Sequence, residues 1–575
     1  MRSKSFYKNK FRSMLFTGTF TMAVSYIMLL SDSIIAGRFL GEDGVSAINL
    51  LTPVNSVMVF LSCIISLGTG IQYSRSIGRA DTGKASKLYG QGMIVSVAIA
   101  VLGAVVTFFM RDVYFFSTGA SESVTRLAGT YYTLLPLNSA LTVMVTYVSN
   151  MVYTDGDEAV NNLSYIFQIG GNIVLSVVLC AKFGMIGIII GTVTGNVLAL
   201  IVSIRHFFKE SNTLHFAWYF NLKDLVAVIK FSILDSCVYL CWGVVDFIVI
   251  GHISRNYGED ALVILAVVMS LIEFSVVLDG VGMAIEPLVG TYLGEKNHTM
   301  IKRLMKTALS AAVTEGLVAS GLIFIFTRQF IGLFGVTNED IIPDAVIAVR
   351  LVCAALVVCA VVSLTSSYYL LVDHVGLALC LAVIKDGLLY SLLPVFCSEL
   401  FGEVGIWIGF ALAPVAALAL FFLFSYLRYQ KNNFPWIIEN TDDRVEVVED
   451  ILSLDTVGAL SRQTAEIMKK RGFSEREMTW ASLFVEETAL TIFEKNKDQK
   501  AVLNIEFSLI FDEGSVLIIE RDSGKIFDLT DPEMAIDGLS SFIIEGILES
   551  HEEKVYQTTT GYNRNMIRLG KTGKL

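Results

Sequence analysis

The sequence predicts an α-helical polytopic membrane protein, with about twelve transmembrane helices in two pseudo-symmetric six-helix bundles. A C-terminal cytoplasmic α/β sandwich domain comes after them. Three observations carry this prediction. The 575-residue chain is apolar, with only 17% charged residues and a mean hydropathy of +0.62. Its segments repeat at one long offset. Its composition changes after about residue 430.

The repeat is read in three places. FGMIGIIIG at residues 183–191 returns as FGEVGIWIG at 401–409, 218 positions on. DSIIAG, beginning at Asp32, returns as DFIVIG from Asp246, 214 positions on. GED at 41–43 returns at 258–260, 217 positions on. The unit is far longer than a solenoid repeat. Two homologous membrane halves are a usual transporter architecture, with substrate handled near their interface.

Apolar runs of about 20 residues read as spanning helices, because lipid offers the backbone polar groups no other partners. Such runs centre near Tyr26, Phe60, Ala100, Thr142, Ile173 and Ile190. A second set centres near Val244, Phe274, Leu317, Val357, Leu388 and Ala416. The halves then occupy 1–210 and 211–432. The basic N-terminus MRSKSFYKNKFR leads into a long span without a small-residue cleavage site, so it reads as a first helix. Basic loops alternate with neutral or acidic ones: RSIGRADTGKASK, RHFFKES, KNHTMIKRLMK and RYQKN against NEDIIPD and CSELFGE. The positive-inside rule places both termini in the cytoplasm of a cell-membrane protein.

All eight cysteines lie in or beside apolar runs, and none has CxxC spacing, so reduced core residues are expected in place of disulfides or zinc. A net charge of −11 argues against nucleic-acid binding.

Residues 440–575 contain no spanning run. DTVGALSRQTAEIMKKRG and REMTWASLFVEETALTIFEKN have helical apolar spacing, and AVLNIEFSLIF-DEG-SVLIIERDSG reads as two strands around a tight turn. KVYQTTT and NMIRL read as further strands. About 135 residues suffice for an independent core.

Asp32 comes after SYIMLLS, deep in the first helix. A carboxylate there costs about 2.5–3.5 kcal/mol on insertion scales, so it is expected to face a cavity or a partner. Protonation, or a cation such as Na⁺, would relieve that cost. The plainer reading is a helix-end aspartate reaching the outer interface. Asn172 and Ser176 share a helix face, and Thr192 and Asn196 lie on the next helix. They could complete a site with Asp32, or simply bond helix to helix. In the second half, Asp246, Glu273, Asp279, Glu286, Asp373, Lys385 and Asp386 are the ionisable set. Lys385 beside Asp386 points to internal pairing. Glu286-Pro287 is expected to mark a helix break. Each of these acids could equally be architectural.

The run LLSDSIIAGRFLGEDGVSAINLLTPV resembles the opening of multidrug and toxic compound extrusion (MATE) transporters. SLGTGIQYSRSIGRADTGKAS resembles the family's segment after its second helix, with GVGMAIEPLVGTYLGEKN as the second-half partner. GGNIVLSVVLCAKFGMIGIIIGTVTGN resembles the fifth and sixth helices. The resemblance covers residues 10–430. It implies two six-helix bundles around a central cavity, alternating access, and efflux of cationic, amphipathic compounds driven by H⁺ or Na⁺. It places Asp32 on the family's first-helix carboxylate and Asn172 on its fifth-helix asparagine. Many prokaryotic members carry an aspartate where this chain has Ser176, and a seventh-helix glutamate is not evident in LDSCVYLCWGVVDFIVIG.

The tail resembles the ATP-binding domain of anti-sigma-factor and sensor histidine kinases. LFVEETALTIFEKN resembles the helix with the catalytic Glu, RDSGKIFDL the adenine-binding D-x-G loop, and TTTGYNRNMIRL the final strand. That resemblance implies adenine contact by Asp522, close approach at Gly524, an orienting role for Glu487, and a lid reduced to Gly538. Thr491 stands where the family's metal-ligand Asn is expected.

The expected protein is a secondary active multidrug efflux antiporter and not an enzyme, taking H⁺ or Na⁺ as coupling ion. Its fused regulatory domain would bind ATP or a regulatory protein. Alternatives are a lipid-linked sugar flippase of the same fold group, and a membrane-anchored sensor with a nucleotide-binding tail.

Overall fold

The computed structural model describes residues 5–118, 122–334, 339–433, 444–498, 503–512, 514–526, 528, 543–544, 546–547, 554–559 and 561–570. In the first half run α1 (Phe6–Gly78), α2 (Thr82–Thr118), α3 (Glu122–Tyr132), α4 (Leu135–Thr154), α5 (Glu158–Phe183) and α6 (Met185–Ser203). The second half holds α7 (Leu222–Asn256), α8 (Gly258–Phe274), α9 (Gly280–Gly294), α10 (His298–Ile325) and α11 (Thr327–Leu333). It continues with α12 (Ile342–Cys353), α13 (Leu356–Leu371), α14 (Val375–Ala382), α15 (Tyr390–Phe401) and α16 (Glu403–Asn433). Gly41, at φ 71° and ψ −159°, interrupts α1 and divides it into the spans Phe6–Gly41 and Val57–Gly78. Among the described residues, ten segments are long and apolar enough to cross a membrane. The expected centres Thr142 and Val244 lie in α4 and α7, which are helical but not among those ten.

The backbone repeats where the sequence repeats. Positive φ occurs at Gly41 and Gly258, at Ala80 and Lys296, at Gly156 and Asp373, and at Gly184 and Gly402. Each pair is separated by the repeat offset, so the same four turns are built twice. At two pairs only one member or neither is a glycine, so the tertiary structure imposes the left-handed turn there.

The halves meet along α1. Thr19 Oγ1 donates to Glu315 Oε1 at 2.8 Å, and Tyr26 to the carbonyl of Ser270 at 3.0 Å. Arg75 bonds Asp373 Oδ2 at 3.0 Å and the carbonyl of Leu371. Two contacts join residues to their own repeat counterparts, 216 positions away. A Cβ on Gly78 would lie 2.9 Å from Gly294 Cα, and one on Gly290 2.6 Å from Ser74 Cβ. These positions lie on a pseudo-twofold axis.

Pro287 does not break α9, contrary to expectation. Its missing N–H leaves the Met283 carbonyl without an intrahelical donor. The Tyr153 hydroxyl from α4 shares its proton between that carbonyl, at 3.3 Å, and the Met14 carbonyl, at 3.2 Å, and the helix continues.

The tail contains β1 (Val445–Ile451), α17 (Leu454–Lys470), α18 (Glu475–Lys495), β2 (Asn504–Asp512), β3 (Ser515–Asp522), β4 (Lys554–Thr559) and β5 (Tyr562–Gly570). Both helices start with full capping boxes, at Ser453 with Thr456 and at Ser474 with Glu477. The strands form one antiparallel sheet in the order β1-β2-β3-β5-β4. Alternation divides its faces. Ile505, Phe507, Leu509, Val516, Ile518, Ile567 and Leu569 pack against α17 and α18. The opposite face, with Glu506, Ser508, Arg521 and Arg564, lies on the membrane part. There Asn9 Nδ2 donates to Asn504 Oδ1 and Ser5 Oγ to Glu449 Oε2, each at 2.8 Å, and the Phe6 and Tyr562 rings meet edge-on at 5.0 Å.

Burial raises the Glu506 carboxyl from 4.5 to about 7, against the opposing pull of Arg521. A carboxyl raised on folding stabilises the fold below its unfolded value of 4.5, and that contribution is lost as pH rises through about 7. Thermal unfolding of the full-length protein is therefore expected to move to lower temperature across this window. Glu506→Gln is expected to flatten the trend. An equally steep fall in the variant would assign the titration to another group.

Candidate functional site

The buried face of α5 is polar: Asn161, Ser164, Gln168, Asn172 and Ser176 recur at helical spacing between Val160 and Cys180. Its apolar residues Phe167, Val174 and Val178 point outward. A helix of this kind is stable with lipid outside and hydrogen-bonding partners inside. The polar layer separates two apolar clusters of the first half. One holds Ile35, Tyr131, Cys180 and Ile188, and the other Ile65, Tyr147, Met151 and Val160.

Asp32 lies at this layer. Its Oδ2 accepts from the Tyr131 hydroxyl at 2.9 Å and from Thr192 Oγ1 at 3.2 Å. Asn172 Nδ2 donates to Thr192 Oγ1 at 2.8 Å, and Ser31 Oγ donates to Asn172 Oδ1 at 3.2 Å. Asp32 Oδ1 is buried and has no hydrogen-bond partner among the described residues. The carboxylate thus has one oxygen with two donors and one without a donor among the described residues.

Close packing of α5 on α6 sets this geometry. A Cβ on Gly191 would lie 2.6 Å from the Ser176 nitrogen, and one on Gly195 3.0 Å from the Asn172 nitrogen. Only glycine permits that approach, which brings Thr192 within reach of both Asn172 and Asp32. Of the sequence-predicted residues, Asp32, Asn172 and Thr192 come together. Asn196 lies one turn further, accepting from Gln168 at 2.7 Å and donating to Asn138 at 3.0 Å. Ser176 is fully buried in the α5–α6 seam, and its hydroxyl donates to the Ile188 carbonyl at 3.0 Å. Sequence reasoning missed Tyr131. Its signal was faint: a tyrosine pair just before Pro136, at the edge of an apolar run.

The second half is chemically different. At the 218-residue offset, Asn172 and Thr192 correspond to Tyr390 and Phe410, whose rings lie 5.9 Å apart. Lys385 Nζ pairs with Asp386 Oδ1 at 3.1 Å, within a π-helical turn at Val383–Leu389. Asp279 is bonded to Ser363 and faces that pair. Glu286 is buried beside Gly70, with Thr154 and Asn150 around the same point. Asp246 lies in α7, and its side chain is outside the described residues. Among the described residues there is no disulfide and no cluster of metal-ligand type.

In the tail, Asp522 lies on the helix-facing side at the end of β3. It accepts from the Gly524 nitrogen at 2.6 Å and from Asn563 Nδ2 at 3.1 and 3.2 Å. Asn496 Oδ1 accepts from the Lys525 nitrogen at 2.8 Å, closing the loop. Burial pushes the Asp522 carboxyl up. A Cβ on Gly524 would lie 2.6 Å from Asn496 Nδ2 and 2.7 Å from Asp522 Oδ1, so any larger residue would displace those side chains. Glu487 is buried on α18, and Thr491, one turn on, has a buried hydroxyl without a partner among the described residues. Gly538 lies outside the described residues.

The family model described as MatE matches residues 19–178 and 232–383, more than half of the chain. Over 416 residues the chain is 22% identical to the multidrug export protein MepA of Staphylococcus aureus (strain NCTC 8325 / PS 47), covering 70% of this chain and 91% of that protein. It is 22% identical over 303 residues to MepA of Staphylococcus saprophyticus subsp. saprophyticus, covering 52% of this chain and 67% of that one. The fold superposes on a multidrug resistance MATE family transporter of the MOP superfamily, solved in an outward-facing conformation. That match has a TM-score of 0.68 at 20% identity, over 73% of this chain and 95% of that one. The chain belongs to the MatE family, whose members are transporters and not enzymes.

Proposed function

We propose that the chain is a secondary active multidrug efflux antiporter, exporting cationic, amphipathic compounds in exchange for H⁺ or Na⁺. The observation that carries this reading is Asp32, with one oxygen held by Tyr131 and Thr192 and the other open. A proton or cation there and a cationic substrate in the cavity compete for the same negative charge. Opposite preferences of the two ligands for the two facing states couple their movements. The membrane part is read as two bundles of six spans, counting α4 and α7 with the ten apolar segments. The basic loops place both chain ends and the tail in the cytoplasm.

The tail is read as a regulatory domain of the kinase-ATPase type. Asp522, Gly524 and Asn563 support that reading, because they form a closed loop on the helix-facing side of the sheet. It is read as binding ATP without phosphoryl transfer, since Thr491 offers no amide ligand for a metal.

Efflux of a fluorescent cationic dye from everted vesicles, under imposed H⁺ or Na⁺ gradients, tests the antiporter. Asp32→Asn is expected to abolish gradient-driven efflux while leaving the yield of folded protein unchanged. Full efflux by the variant would remove Asp32 from the mechanism. Tyr131→Phe deletes one hydrogen bond worth about 1 kcal/mol and is expected to lower the rate only several-fold.

The tail reading has its own check. A fluorescent ATP analogue should bind the full-length protein, and Asp522→Asn should weaken that binding by about tenfold or more, a loss of about 1.4 kcal/mol. Equal binding by both proteins would place the nucleotide elsewhere, and no binding by the wild type would remove ATP from the reading.

A further inference from the structure

The sheet face on the membrane part carries a row of charges out of contact with solvent. Glu506, Arg521 and Arg564 are direct cross-strand neighbours on β2, β3 and β5. Adjacent guanidiniums repel, and within the row only Glu506 offsets them. A further carboxylate comes from the membrane part. Glu295, the residue that ends α9, bonds Arg521 through one oxygen and Arg564 Nε through the other, the latter at 2.8 Å. Arg521 also holds Glu506 at 2.8 Å and lies over the Tyr292 ring. All four charged side chains are fully buried.

Arg564 does more than pair. It donates to the carbonyls of Ile77 at 3.1 Å and Gly78 at 2.9 Å, the last residues of α1. Both carbonyls lie at the negative end of the helix dipole, where a cation is favoured, and the Ile77 carbonyl also accepts from the Ala80 nitrogen at 2.9 Å. One guanidinium therefore bonds the first half through α1 and the second half through Glu295. It does so where Gly78 and Gly294 touch, on the pseudo-twofold axis.

We propose that the C-terminal domain is a lock on this seam, holding the two halves closed on the side where the domain sits. The proposal rests on the transporter reading, because it requires halves that part on that side. Parting them carries the end of α1 away from the end of α9. Arg564 cannot follow both, so the docked domain and the open seam exclude each other. Loading from the domain side requires Arg564 to leave at least one partner, and a released domain frees the seam.

Hydrogen exchange on the full-length protein tests this. The amides of Arg79, Ala80 and Asp81 are bonded in the turn after α1, and those of Glu295, Lys296 and Asn297 in the matching turn after α9. Arg564→Gln is expected to raise exchange in both turns together, by at least about a hundredfold, as for a buried pair losing one partner. Glu295→Gln, made from the membrane side, is expected to give the same two-segment signature. Gly294→Ala, which pries the seam without touching the sheet, supplies the reference pattern for an open seam. If either charge variant raises exchange only within β5, or nowhere, while both turns stay as protected as in wild type, the lock is refuted. Because the readout uses no transported compound, it can fail while dye efflux succeeds, and the reverse.

Discussion

In lipid, every backbone polar group must find its partner inside the protein, and the rest of this structure depends on that requirement. It forces helices, and it decides what happens wherever a helix is interrupted. The Met283 carbonyl, freed by Pro287, takes the Tyr153 hydroxyl from the opposite half. The last carbonyls of α1 take a guanidinium from the tail domain. At both places a carbonyl at an interruption or end of a helix has become a contact between parts of the molecule. The seam between the halves combines such repairs with side-chain bonds and close glycine contacts.

The same requirement explains the division of the first half. Polar side chains on α5 cannot face lipid, so they gather inward and split the apolar interior into two clusters. Asp32 lies at that split. The second half has Tyr390 and Phe410 at the corresponding positions, and it packs around one large apolar cluster instead. There Asp386 is paired with Lys385, while Glu286 and Glu315 lie against the first half. A duplicated sequence has thus yielded one half in which Asp32 is held by neutral donors and another in which Asp386 has its own counter-ion.

Much of the membrane architecture was legible because hydropathy and the repeat are both one-dimensional signals. The repeat even anticipates the paired turns at Gly41 and Gly258 and at Gly184 and Gly402. It does not announce the turns at Ala80 and Lys296, since neither residue prefers positive φ and only tertiary packing imposes it. Asp32 was legible from its depth, and Asn172 from its helix spacing to Ser176. Tyr131 was not, because a short helix with no intramembrane charge gives no pattern. Asp522 and Gly524 were legible as a local motif. The row of Glu506, Arg521 and Arg564 was not, because strand register alone makes neighbours of residues so far apart in sequence.

The distances along the chain carry a consequence for how the molecule is made. Asn9 and its partner Asn504 are 495 positions apart, and Arg564 and the carbonyl it caps are 487 apart. Domains form in order as the chain leaves the ribosome. Every spanning helix is therefore synthesised, and free to insert, before β5 exists. During that interval the end of α1 has no guanidinium on its carbonyls, and Glu295 has neither arginine. The newborn membrane part is a different molecule from the finished one, with its seam uncapped, and the last described strand completes it.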